Sequence, residues 1–176
     1  MTRAVFLDRD GVITRSLIRD GRPYAPRSLD EFEILPGVAG ALTRLRDAGF
    51  LLIVVTNQPD VRKGLVARAD VEAMHRRLRE ALPLDDLFVC YHDDRDGCAC
   101  RKPSPGMLYA AAVAHEVTLG ASCLVGDRWR DIEAGRRAGC TTILVDGGHH
   151  EAVASEPHAR QPDLDGAASW ILAAGR

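Results

Sequence analysis

The 176-residue chain reads as an α/β fold, a doubly wound and mostly parallel sheet with helices on both faces. Three observations predict it. Short apolar runs alternate with amphipathic segments of helix length, the pattern of βαβ units. Runs such as Leu51–Val55 are apolar without alternation, as in strands covered on both faces. Three of the runs end in polar or acidic groups, and sites of parallel α/β sheets lie beyond the carboxyl ends of the strands.

The first strand is expected over Ala4 to Leu7. It runs into Asp8-Arg9-Asp10-Gly11, where Gly11 allows a sharp turn. Thr14 to Glu33 is polar, with turn signals at Asp20-Gly21, Pro23 and Pro26, and reads as a long irregular loop. Val38, Leu42 and Leu45 share one helical face, and Gly49 ends that helix. Leu51–Val55 is the second strand, leaving Thr56-Asn57-Gln58 at its exit. Pro59 to Gly64 reads as a basic loop. A helix follows over about 69–82, with Val71, Met74 and Leu78 inward, Asp70 capping it or charging its first turn, and Pro83 as its stop.

Asp86–Cys90 is the third strand. Pro105 opens a helix reaching about Val117, with Leu108, Ala112 and His115 along it. Cys123–Val125 is the fourth strand and ends in Gly126-Asp127. Asp131–Ala138 is a short helix closed by Gly139, and Thr142–Val145 is the fifth strand. Gly147 to Pro162 reads as loop. Leu164–Ala174 is a final helix whose Trp170 packs on the sheet. No repeat or linker divides the chain, so residues 1–176 are expected to form one domain.

Composition sets the broad class. Hydrophobic content of 46% and charged content of 27% are ordinary for a soluble globular protein. A formal net charge of −2 offers no broad basic surface for nucleic acid. There is no apolar run long enough to span a membrane and no leader-like N-terminus, so the expected compartment is the cytoplasm and the expected state a monomer. The five cysteines, three of them crowded between Cys90 and Cys100, do not look like a secreted disulfide framework.

The strand exits carry complementary chemistry. Asp8 can attack as a nucleophile, and Asp10, two positions on, can pass a proton to a leaving group. Asp8 and Asp127 on one sheet edge bring two carboxylates together, which is unfavourable without a cation between them. Hard oxygen ligands point to Mg2+, which commonly completes its shell with substrate phosphate. Thr56 and Asn57 can donate hydrogen bonds to phosphate, and Lys102 supplies positive charge. These parts suit phosphoryl transfer through an aspartyl-phosphate. Taken singly, each has a plainer reading: a solvated acidic turn, a strand-end threonine, a surface lysine, a helix-capping Asp131.

Cys90-Tyr91-His92, five residues, then Cys98-Ala99-Cys100 forms a second signal. Three thiolates and an imidazole make a closed tetrahedral set for structural Zn2+, whose binding would order a polar loop. Cys123 and Cys140, in apolar surroundings, read as core.

Asp8-x-Asp10-Gly11-Val12, Thr56-Asn57, Lys102-Pro103 and Gly126-Asp127-x-x-x-Asp131 together resemble the four motifs of the haloacid dehalogenase-like phosphatases, in order, over most of the chain. The resemblance implies that family's Rossmannoid fold, without a large cap domain in a chain this short. It implies Asp8 as nucleophile and Asp10 as general acid and then base. It also implies Mg2+ held by Asp8, Asp127 and the backbone carbonyl of Asp10, with Asp131 orienting that site. Thr56 and Lys102 would stabilise the transferring phosphoryl group.

The cysteine loop and the Arg101-Lys102-Pro103 that follows resemble the subgroup containing heptose bisphosphate phosphatases and histidinol-phosphate phosphatases. That resemblance implies a small phosphorylated substrate, with the heptose 1,7-bisphosphate and loss of its C7 phosphate favoured. Asn57, Gln58, Arg101 and Arg128 are the candidate substrate contacts, the arginines for a distal anionic group. Pro59-Asp60 and Arg128 depart from the usual heptose pattern, and the five-residue gap between His92 and Cys98 matches the histidinol-phosphate branch. A non-catalytic zinc-stabilised interaction module and a metal or redox sensor built on the cysteine loop are the readings from other classes. Neither uses all three strand exits.

Overall fold

The computed structural model describes residues 1–149, 151–152 and 155–175. The order of elements is β1 (Arg3–Leu7), β2 (Leu17–Arg19), β3 (Arg22–Tyr24), α1 (Val38–Asp47), β4 (Phe50–Asn57), α2 (Pro59–Arg62), α3 (Arg68–Ala81), β5 (Asp86–Cys90), α4 (Gly106–His115), β6 (Cys123–Gly126), α5 (Trp129–Ala138), β7 (Thr141–Val145), β8 (Ala159–Gln161) and α6 (Leu164–Ala173).

Six strands form one parallel sheet in the order β5-β4-β1-β6-β7-β8. The chain builds outward from β1 through β4 to β5, then returns to the other side of β1 with β6. The crevice between β1 and β6 is therefore the switch point where such sheets bind ligands. Asp8 leaves the end of β1, and Asp127 leaves the end of β6. The backbone N–H of Asp8 donates to the Val125 carbonyl at 3.0 Å, so the ladder holds the two exits side by side.

The central strands β1, β4 and β6 are largely apolar because each face of the sheet has its own core. Val5, Leu7, Leu52, Val54 and Val125 point to one face, where they pack with Val38, Leu42 and Leu45 of α1, Val71, Met74 and Leu78 of α3, and Ile171 of α6. Ala4, Phe6, Ile53, Val55 and Leu124 point to the other, against Met107, Leu108 and Ala111 of α4 and Ala134 of α5. The strict alternation along β1, β4 and β6 is the period-two geometry of a strand. Trp170 packs half-buried on the first core. Cys123 and Cys140 are buried in the two cores as expected.

Three local expectations are corrected, and one left open is resolved. The Thr14–Glu33 stretch contains the antiparallel hairpin β2–β3. Two-residue Asp20-Gly21 closes it, and both residues sit at positive φ, a turn that favours hairpins. Pro59–Arg62 forms a helical turn, with Pro59 preset for a first helical position. Of the two roles open to Asp70, the structure shows the second: Ala67 occupies the capping position and Asp70 puts its charge in the first turn of α3. The Gly147–Pro162 stretch yields an edge strand, β8, paired with β7. His150, Val153 and Ala154 of that stretch, and Arg176, lie outside the described residues. No helix among the described residues is long and apolar enough to cross a membrane.

Candidate active site and cysteine-histidine cluster

The carboxyl edge of the sheet opens into a cleft of about 290 Å3 lined by Asp8, Asp10, Lys102, Asp127 and Asp131, with the β3 end, Arg101, Arg128 and Arg130 around it. At its floor, Asp8, Asp127 and Asp131 are all buried and each can bring an oxygen within 4.8 Å of the other two. Lys102 reaches into this cluster. Its ammonium donates to Asp8 Oδ1 at 2.8 Å and to the Val55 carbonyl at 2.8 Å, and pairs with Asp131 Oδ1 at 2.5 Å. All three ammonium protons have acceptors.

One ammonium does not balance three buried carboxylates. Burial, offset by Lys102 and reinforced by Asp131 and Asp127, pushes Asp8 up to about 8. Burial likewise raises Asp127, with His149 pulling the other way. Burial disfavours the Lys102 ammonium, but Asp131 and Asp8 outweigh it and hold its pKa above the ordinary lysine value.

The same residues fit a hard divalent cation. Asp127 Oδ2 is within 2.9 Å of His149 Nε2, while its buried Oδ1 has no hydrogen-bond partner among the described residues. Space beside these carboxylates is kept by missing side chains. A Cβ on Gly11, which sits at φ 89°, would run into the Asp127 carboxylate, and one on Gly126 would run into Asp131. Gly11 thus serves both a left-handed backbone and a close approach.

Asp10 is held differently. Arg9, fully buried, grips it through Nε to Oδ1 and Nη2 to Oδ2, both at 2.9 Å. Thr14 Oγ1 donates to Oδ1 at 3.0 Å and Gln58 Nε2 to Oδ2 at 2.8 Å. The remaining Arg9 nitrogen, Nη1, lies 2.9 Å from His75 Nε2. A guanidinium nitrogen can only donate, so His75 accepts through Nε2 and, when neutral, carries its proton on Nδ1. Burial and then the neighbouring Arg9 lower His75 to about 3.

Thr56 and Gln58 are almost fully buried, and the Gln58 amide also donates to Thr56 Oγ1 at 2.9 Å. Gln58 is therefore a brace that ties the end of β4 to Asp10, and it does not line the cleft. Asn57 does line it, but its amide is engaged: Nδ2 donates to the Lys102 carbonyl and Oδ1 accepts from the Lys102 N–H, both at 3.1 Å. This pair buckles the lysine segment to the end of β4.

The two arginines expected at the rim are there with acidic partners. Arg128 forks onto Glu151 with both contacts at 3.2 Å. Arg101 Nε donates to Asp94 at 2.8 Å. Arg130, which the sequence reading passed over, meets the same Asp94 at 3.1 Å. Its one signal was position: it precedes Asp131 in the first turn of α5, beside the Arg128 already singled out. Arg9 and His75 were also missed. An arginine between two acids in a buried strand end needs a partner, and His75 falls on the inward α3 face with Val71, Met74 and Leu78.

Cys90, His92, Cys98 and Cys100 come together at the end of β5, all ligand atoms within 4.8 Å of each other. The sulfurs lie 3.1 to 3.7 Å apart, and His92 Nδ1 is 3.4 Å from Cys100 Sγ and 3.6 Å from Cys90 Sγ. Ligands at about 2.3 Å in a tetrahedron stand roughly 3.8 Å apart, so this set can close on a zinc-sized ion. None of the five cysteines is in a disulfide. Burial, with added hydrogen bonding from Cys100, holds the Cys90 thiol well above the usual range when no metal is present.

Comparison with known proteins agrees with this geometry. The HAD-hydrolase-like family model matches residues 99–167. The D-glycero-beta-D-manno-heptose-1,7-bisphosphate 7-phosphatase of Bordetella bronchiseptica is 38% identical over 152 residues, 84% of this chain and 82% of that protein. The D-glycero-D-manno-heptose-1,7-bisphosphate 7-phosphatase of Thermosynechococcus vestitus is 37% identical over 96% of this chain and 94% of its own. The crystal structure of the B. bronchiseptica D,D-heptose 1,7-bisphosphate phosphatase, complexed with magnesium and phosphate, superposes with a TM-score of 0.83 at 35% identity, covering 99% of each chain. With the motif residues gathered at one switch point and the likeness running over nearly the whole length, the chain belongs to the HAD-like phosphatases, in the family of the D-glycero-D-manno-heptose-1,7-bisphosphate 7-phosphatases.

Proposed function

We propose that this phosphatase removes the C7 phosphate of D-glycero-D-manno-heptose 1,7-bisphosphate and leaves the C1 phosphate in place. The observation that carries the reading is the buried cluster of Asp8, Asp127 and Asp131 around a single Lys102 ammonium, opening to a cleft rimmed by arginines. The 34–38% identity to heptose bisphosphate phosphatases over most of the chain supports the choice of substrate.

In this reading Asp8 attacks the phosphorus in line, forming an aspartyl-phosphate and expelling the sugar oxygen. Asp10 protonates that oxygen, then takes a proton from the water that attacks the phosphorus of the intermediate and frees Asp8. Lys102 neutralises charge on the phosphoryl oxygens, and the Thr56 hydroxyl adds a hydrogen bond. Asp8, Asp127 and the Asp10 carbonyl would hold Mg2+, with Asp131 orienting them through Lys102. When bound, Mg2+ supplies charge neutralisation for the carboxylates and phosphate. Residues 1–176 act as one domain.

Asp10 has all four of its contacts filled by Arg9, Thr14 and Gln58. Proton transfer therefore requires its carboxyl group to exchange one of these partners for the leaving oxygen. Cys90, His92, Cys98 and Cys100 would hold Zn2+, which would order the 90–100 loop and with it Arg101, whose Nη1 also donates to the His92 carbonyl at 3.4 Å. Arg101 takes the distal phosphate, with Arg130 beside it and Arg128 on the same cleft rim.

The test is Mg2+-dependent phosphate release from both anomers of the heptose 1,7-bisphosphate beside histidinol phosphate. A large preference in kcat/KM for a heptose bisphosphate is the expected result. A preference for histidinol phosphate would overturn the substrate assignment and leave the chemistry intact.

A further inference from the structure

We propose that Asp94 is a built-in counter-ion that occupies the distal anion subsite and that the second phosphate of the substrate must displace. The inference rests on the bisphosphatase reading above and concerns a residue that reading leaves without a role.

Asp94 lies on the loop between His92 and Cys98 and lines the same cleft as Asp8 and Lys102. Its carboxylate does what a substrate anion would do there. Oδ1 accepts from Arg101 Nε at 2.8 Å and from Arg130 Nη1 at 3.1 Å, and Oδ2 is 3.4 Å from Arg130 Nη2. The two guanidiniums come from different elements, the loop before Lys102 and the first turn of α5, and converge on one carboxylate. Both are well covered, at 13% and 26% side-chain exposure, whereas Asp94 is 63% exposed. The cations are fixed and the anion is the mobile partner.

The loop does not depend on this side chain. Its turn is closed by Asp93 and Asp96: the Asp93 N–H donates to Asp96 Oδ2 and the Arg95 N–H to Asp93 Oδ1. All contacts of the Asp94 carboxylate described here go to the two cleft arginines. Asp94 can therefore swing away without unmaking the turn.

A phosphate dianion brings more charge and more acceptors than a carboxylate, so it can take over both guanidiniums. A hydroxyl cannot. The counter-ion lowers affinity for the distal group by the fraction of time the subsite is filled. Exposed ion pairs are weak, so that factor is modest, about three- to tenfold. The cost falls only on a substrate whose second group must enter the subsite, because a sugar without an anion there leaves Asp94 in place.

The experiment compares KM for heptose 1,7-bisphosphate with KM for the same sugar carrying the 7-phosphate alone. In Asp94→Ala and Asp94→Asn the ratio of bisphosphate to monophosphate KM should fall about three- to tenfold. Asp94→Glu, which restores the charge, should return it toward the wild-type value. An unchanged or increased ratio in the neutral variants, or a Glu variant that behaves like Ala, overturns the proposal. Sulfate binding, read by thermal shift, separates this from failure of the substrate assignment. If wild type hydrolyses neither sugar, sulfate should still bind more tightly to Asp94→Ala than to wild type and lose that gain with Arg101→Gln. No such gain would sink the counter-ion whatever the substrate.

Discussion

Lys102→Met removes the one positive charge on which the buried carboxylates converge. The lysine is 2% exposed, and its three ammonium protons go to Asp8, Val55 and Asp131 at 2.5 to 2.8 Å. Methionine keeps the stem and the packing and leaves two carboxylates and a carbonyl without their donor. Removing one partner of a buried ion pair costs about 3–5 kcal/mol. Part of that is returned here because Asp8, already raised to about 8, can take a proton instead. The expected stability loss at pH 7 is thus nearer ~3 kcal/mol. Catalysis suffers separately. Losing one preorganised donor to a transition-state oxyanion costs about 10²–10³ in kcat, and a full charge at least as much. Since Lys102 holds Asp8 down, its removal should also move the acid limb of the activity profile to higher pH. Urea unfolding and Mg2+-dependent phosphate release, run across pH 6 to 9, read all three effects. Lys63→Met serves as the comparison, because Lys63 lines the same cleft with 46% side-chain exposure and only a 3.8 Å contact to Asp60. Equal losses in the two variants, or a Lys102 variant with wild-type stability and an unshifted profile, would refute the reasoning.

Three further outcomes follow from the same contacts. Cys98→Ser should lower zinc content by elemental analysis and reduce thermal stability, and chelation of wild type should do the same; unchanged zinc would remove Cys98 from the ligand set. His75 is depressed to about 3 in the fold, so between its ordinary 6.5 and about 3 the unfolded chain holds the extra proton and stability is lost as pH falls through that window. His75→Gln, which keeps an acceptor for Arg9 but cannot titrate, should lack about 2 kcal/mol of the wild-type loss between pH 7 and pH 5; parallel urea midpoints in the two proteins would disprove the link. Gly126→Ala should disrupt the Asp131–Lys102 pairing and cut kcat at least tenfold, whereas Gly120→Ala, with open space around its Cβ, should not; activity equal to wild type in Gly126→Ala would mean that the crowding is relieved at no cost.

The main elements were legible because their signals are local. Leu51–Val55 is an apolar run that suits a doubly covered strand, Asp86–Cys90 and Thr142–Val145 are short runs rich in apolar residues, and each is a strand. The strand exits were legible for the same reason, since a parallel sheet puts every strand end on one edge. What stayed hidden depends on partners far apart in sequence. Gln58 reads as a polar strand-end residue and becomes a brace because Asp10 stands across from it. Asn57 reads as a phosphate donor and is engaged by a backbone segment 45 residues away. β8 has three residues and pairs at a sheet edge, too short for a periodic pattern. The shared Asp94 partner of Arg101 and Arg130 needs a loop and a helix turn to meet, which spacing along the chain does not encode.

The central claim is that Asp8 becomes phosphorylated during turnover. The most direct measurement is rapid acid quenching of the Mg2+-loaded enzyme with substrate labelled in its C7 phosphate, followed by counting of protein-bound label. The expected result is a covalent phosphoenzyme that forms and decays within turnover, is cleaved by hydroxylamine as an acyl phosphate, and is absent from Asp8→Asn, which should also be inactive while keeping its fold and zinc. Full turnover by Asp8→Asn, or label that survives hydroxylamine, would contradict it.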